Sequence, residues 1–132
     1  GSNDIAAALS HASGYVDVMK DALSEMHRQV GDLVIRDGSA VRGLLVRHLV
    51  LPDNLAGSDS TLPWIAENIS RDTYVNIMDQ YHPANRVFVS AGSCYPALAR
   101  GITSAEYHWA IRIARDAGLH RGFMADVFNG PW

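Results

Sequence analysis

From Leu44 to Leu51 the chain reads Leu-Leu-Val-Arg-His-Leu-Val-Leu, nearly continuous in apolar residues and stopped by Pro52. Such a run suits a strand buried on both faces, as in a parallel sheet. Parallel strands need a crossover between them, and the sequence supplies one. Pro52 to Ser58 reads as a loop, and Asp59, Ser60 or Thr61 can cap a helix with Pro63 in its first turn. Leu62, Ile65, Ala66 and Ile69 make that helix's apolar stripe, and Thr73 to Met78 reads as a second strand. Strand, helix, strand is one βαβ unit, so the core is expected to be α/β with parallel pairing.

The flanking segments add elements around this unit. Val16, Met19, Leu23, Met26 and Val30 recur at helical spacing and Gly31 follows, which predicts an amphipathic helix from Gly14 to Val30 with a glycine cap. Ile5 to Leu9 reads as a short helical turn ahead of it. Leu33-Val34-Ile35 and Val41-Arg42 flank Asp37-Gly38, the signature of a small hairpin. Asp79 to Ile102 is rich in Pro, Gly, Ala and Ser without a clear period, and loops that long are often functional. Thr103-x-x-Glu106 is a capping box opening a helix through Ala117, ended by Gly118, with Tyr107, Ala110, Ile111 and Ala114 as its stripe.

Composition removes several classes of function. At 132 residues, 48% apolar and 19% charged, the chain reads as one globular domain rather than a disordered segment. No apolar run approaches the roughly 20 residues of a membrane helix. A net charge of −3 advertises no broad basic face for nucleic acid. Cys94 is the only cysteine, which fits a reducing cytoplasm and excludes an internal disulfide. One thiol also cannot hold a zinc ribbon or an iron–sulfur cluster. Gly1-Ser2 reads as a cleavage scar from expression, leaving residues 3–132 as the domain.

In parallel α/β sheets, ligands bind beyond the carboxyl ends of the strands. That rule selects the loops Pro52 to Gly57 and Asp79 to Asn85. Alternation sends Arg47 and His48 to opposite faces of their strand. A buried Arg47 needs acceptors, which an anionic ligand such as a carboxylate or a structural carboxylate or helix C-terminus would supply. His48 reads as a hydrogen-bonded core histidine. Asp79, Gln80, Tyr81 and His82 follow the second strand and could line the same mouth, or simply give the loop its polarity. His11, His27, His108 and His120 show no metal-ligand spacing, and no phosphate-binding or dinucleotide signature is present.

Several segments taken together carry a family resemblance. They are Glu25-Met26-His27-Arg28-Gln29-Val30-Gly31, Arg42 to Pro52, Asn54 to Gly57, Thr73 to Tyr81, and Ile102 to Arg121. The chain resembles the C-terminal part of radical S-adenosylmethionine proteins, in particular pyruvate formate-lyase activating enzymes and their relatives. The resemblance implies a partial (β/α) TIM-like barrel, here about three parallel strands flanked by helices plus a small hairpin. It implies that Arg47 contacts S-adenosylmethionine, with a further contact from Gln80, Tyr81 or His82 after the next strand. In such proteins a [4Fe-4S] cluster on a C-x-x-x-C-x-x-C loop donates the electron that cleaves S-adenosylmethionine to a 5′-deoxyadenosyl radical. That radical takes a hydrogen from a partner glycyl radical enzyme or another substrate.

The cysteine triad is absent here, and Cys94 lies towards the other end of the family's length. The expectation is therefore an excised C-terminal piece, catalytically incomplete alone, whose partner is the missing cluster-bearing part. A barrel fragment with open strand edges is also expected to self-associate. The alternative is a stand-alone α/β binding or interaction domain without catalysis.

Overall fold

The computed structural model describes residues 2–84 and 96–122. Its elements are helices α1 (Asn3–Ser10) and α2 (Tyr15–Val30), strands β1 (Val34–Arg36), β2 (Ser39–Arg42) and β3 (Leu45–Leu49), helix α3 (Ser58–Asn68), strand β4 (Tyr74–Met78) and helix α4 (Ser104–Asp116). Short 3-10 turns cover Pro52–Asn54 and Pro96–Ala99. The fold is mixed α/β, and β3 and β4 pair in parallel with α3 as their crossover. Among the described residues this sheet has two parallel strands of the roughly three expected, and Arg121 adds one further parallel bridge to Tyr74. No helix among the described residues is long and apolar enough to cross a membrane.

Arg47 pairs with Asn76 and His48 with Ile77, so alternation sorts the ladder into two faces. Val50, Val75 and Ile77 are buried against Leu62, Ile65 and Ala66 of α3 and Ala110, Ile111 and Ala114 of α4. The opposite face is uncovered: Leu45 and Leu49 are 42% and 36% exposed, and Arg47 beside them is exposed as well. This corrects the expectation of a strand buried on both faces. The apolar run is real, but among the described residues helices layer only one side of it.

The α2 stripe shows the same asymmetry. Val16 and Leu23 are buried, whereas Met26 and Val30 are exposed although they share the helical spacing. Asn3 caps this helix from a distance, its side-chain oxygen accepting from the Val16 amide at 2.9 Å and its amide donating to Asp17. The hairpin β1–β2 turns through Asp37 and Gly38, both at positive φ (50° and 75°), the conformation that an Asp-Gly pair favours.

Asp32 ties these outer elements to the sheet. Its carboxylate meets His27 of α2 at 3.1 Å and accepts from the Ser70 hydroxyl at 3.0 Å, while its backbone bridges Leu44. Gly43 lies against this bridge, where a Cβ would collide with the Asp32 carbonyl. Arg121 completes the tie by donating to the carbonyls of Leu33 (2.7 Å) and Asp72 (3.0 Å).

Helix α3 begins at Ser58, earlier than a cap at Asp59, Ser60 or Thr61 implies. The Asn54 side chain accepts from the Ser58 amide at 2.7 Å, so the start of the helix is satisfied from the loop before it. Pro63 consequently lies past the first turn. Helix α4 has the predicted capping box, with Thr103 and Glu106 exchanging hydrogen bonds.

Candidate functional site

Arg47 stands at the middle of the open face. Its guanidinium donates to the Met78 sulfur at 2.9 Å, a weak acceptor, and no carboxylate among the described residues pairs with it. Among the described residues neither a structural carboxylate nor a helix C-terminus pairs with this cation, which leaves its donors available there to an anionic group. A groove of about 830 Å³ runs beside it. Ile5 and Leu9 of α1, Met19 and Leu23 of α2, and Leu45 and Arg47 of β3 are among its walls. Residues from both faces of β3 line this groove and β4 holds the strand's other edge, so it follows the edge that the ladder leaves unpaired. A concave, mostly apolar space with one convergent cation is what orients a ligand carrying both apolar surface and an anion.

Gln80, Tyr81 and His82 follow the carboxyl end of β4, and none of them lines this groove. Gln80 and His82 are exposed. Tyr81 is half-buried and its hydroxyl donates to the Leu98 carbonyl at 2.8 Å, which fastens the loop to the turn before α4. Cys94 lies outside the described residues. Among those residues, no group of three or more His, Cys, Asp or Glu is placed to hold a metal ion.

His48 occupies the covered face, opposite Arg47, as alternation requires. Its Nε2 shares a hydrogen bond with the Ser58 hydroxyl at 2.8 Å, and burial holds its imidazole down to about 4. The neutral ring thereby joins β3 to the first residue of α3.

The loop between them carries features that sequence reasoning missed. Asp53 and Asn54 both adopt left-handed backbone (φ 52° and 56°), an uncommon state for residues other than glycine. Arg100 and Glu106 brace them. The Asp53 amide donates to Glu106 at 2.8 Å, and Arg100 reaches Asp53 at 2.7 Å and Glu106 at 2.8 Å. Arg100 and these backbone donors hold the Glu106 carboxyl far below the usual carboxylate range, against a smaller opposing effect of burial. A second cavity, of about 410 Å³, lies between this loop and α4. The loop after β3 was selected by the strand-end rule and Glu106 by its capping box, but nothing in the sequence links positions 53 residues apart.

Comparison of the chain with protein-family models, with curated proteins and with solved structures gave no match. The functional reading therefore rests on the geometry above and on the resemblance carried by the segments around Arg47.

Proposed function

We propose that this chain is the C-terminal portion of a radical S-adenosylmethionine protein of the pyruvate formate-lyase activating enzyme type. In that reading it contributes the arginine side of the S-adenosylmethionine pocket. The observation that carries the proposal is Arg47, a cation without a carboxylate partner among the described residues, on the exposed face of a parallel β3–β4 ladder. An open (β/α) barrel would present such a face, helix-covered outside and ligand-facing within. In this reading Arg47 orients the cofactor through a charge-assisted hydrogen bond to its carboxylate. Gln80, Tyr81 or His82, on the loop after β4, would supply the second contact.

The [4Fe-4S] cluster does not fit these residues: the chain has one cysteine and the described residues hold no metal-binding group. No chemical step is assigned to the chain alone. The cluster, the electron and the hydrogen-donating partner, such as a glycyl radical enzyme, belong to the assembled protein. The parent reading frame is expected to encode a C-x-x-x-C-x-x-C motif upstream of Asn3, and a frame without one overturns the proposal.

The exposed apolar residues of the open face bear on behaviour in isolation. Leu45 and Leu49 lie on a sheet of two strands among the described residues, and Val18, Met26 and Val30 are exposed on α2. Such edges and patches recruit a second chain. The isolated chain is expected to self-associate in light scattering, and Leu49→Lys is expected to weaken that association. A monomer at high concentration would count against an uncovered interior.

A further inference from the structure

The 410 Å³ cavity between the β3–α3 loop and α4 lies on the helix side of the molecule, away from the face that carries Arg47. Its volume falls within the range of small-molecule sites. Val50, Leu51, Ala105 and Trp109 provide apolar walls. The polar residues around it are nearly all occupied by one another. Asn54 accepts from the Ser58 amide, the Ser58 hydroxyl is bonded to His48, and Asp53 is paired with Arg100. The Glu106 carboxylate accepts from the amides of Asp53 and Thr103, the Thr103 hydroxyl and Arg100. Two groups differ. Neither the Arg112 guanidinium nor the Trp109 indole N–H has a hydrogen-bond partner among the described residues.

Charge narrows the ligand further. Asp53 and Glu106 contribute two negative charges, and Arg100 and Arg112 two positive ones. Arg100 is committed to both carboxylates, so Arg112 alone remains to receive an incoming anion. One guanidinium suits one carboxylate, and a dianion would meet two acidic side chains with no second uncommitted cation among the described residues. The indole of Trp109 gives a flat ring a stacking surface and offers its N–H to an acceptor.

We propose that this cavity binds a small aromatic monocarboxylate, with its ring against Trp109 and its carboxylate on Arg112. The loop geometry favours such a site because it is fixed before a ligand arrives. The left-handed Asp53 and Asn54 are held by Glu106, Arg100 and Ser58, so little ordering remains to oppose binding. The proposal is independent of the reading of Arg47.

The test is titration of the full chain with indole-3-acetate, followed by the indole N–H signal of Trp109 in nitrogen–proton correlation spectra and assigned with Trp109→Phe. A saturable shift of that signal is expected, with Trp64 unmoved. Affinity should fall about tenfold or more for Arg112→Gln, and likewise for indole-3-acetamide, which keeps the ring and removes the charge. Arg112 is exposed on α4, so the variant keeps the fold, which its unchanged spectrum elsewhere would show. The absence of a saturable shift overturns the proposal. Equal affinity for the acetamide, undiminished binding by Arg112→Gln, or tighter binding of inorganic phosphate would each overturn it as well.

Discussion

The two faces of the β3–β4 ladder are made by the same ten residues of strand, yet they do opposite things. On one face Val75 and Ile77 vanish beneath α3 and α4, and even the polar His48 is buried and bonded to Ser58. On the other, two leucines and an arginine stand exposed on β3. Alternation alone decides which residue goes where. What separates a structural face from a candidate ligand face is therefore the presence or absence of a second layer.

The largest contrast is expected in stability. Ile65→Ala removes a fully buried side chain from α3 and should cost about 3 kcal/mol, by transfer and cavity effects together. Leu49→Ala on the open face should cost under about 1 kcal/mol. Urea unfolding of both variants checks this, and similar losses would mean that the open face is packed in solution.

His48 sharpens the comparison through pH. Its folded value, about 4, lies below the ordinary value of 6.5, so the unfolded chain binds the extra proton between the two. Its contribution is complete above pH 6.5, declines as pH falls towards 4, and changes no further below that. The integrated effect is about 3 kcal/mol in favour of the neutral pH range. Unfolding free energies from pH 7 to 4 should show this slope, and His48→Gln should flatten it. A slope unchanged in that variant would assign the pH dependence to other groups.

A smaller effect is expected from the brace on the loop. Glu106→Gln weakens both the capping box of α4 and the bond to Asp53, while its partner Arg100 is substantially exposed. After allowance for solvent screening the loss should be about 1 kcal/mol in urea unfolding. A larger loss would show that the left-handed loop is more strained than its hydrogen bonds suggest.

Local signals in the sequence were legible. Asp37-Gly38 specified the hairpin turn, Thr103-x-x-Glu106 the start of α4, and the strand–helix–strand order the parallel pairing of β3 with β4. Alternation also separated Arg47 from His48. Burial was less legible, because an apolar run reads the same whether one or two layers cover it. Leu45, Leu49, Met26 and Val30 have the residue types of a core and stand exposed. The start of α3 was misplaced because its N-cap is Gly57 and its first amide is satisfied by Asn54, outside the helix pattern. The contact of Asp53 with Glu106 joins distant parts of the chain, and no local rule reaches across that interval.

If the proposed reading holds, a cluster-bearing segment precedes this chain, and the most direct test of the open face is calorimetric titration of that extended, cluster-reconstituted protein with S-adenosylmethionine. Arg47→Ala is the variant to compare, with its unfolding midpoint measured alongside. If Arg47 holds the cofactor, affinity should fall about tenfold or more while stability changes by less than about 0.5 kcal/mol. Equal affinity in wild type and variant would contradict the assignment of Arg47 to the cofactor.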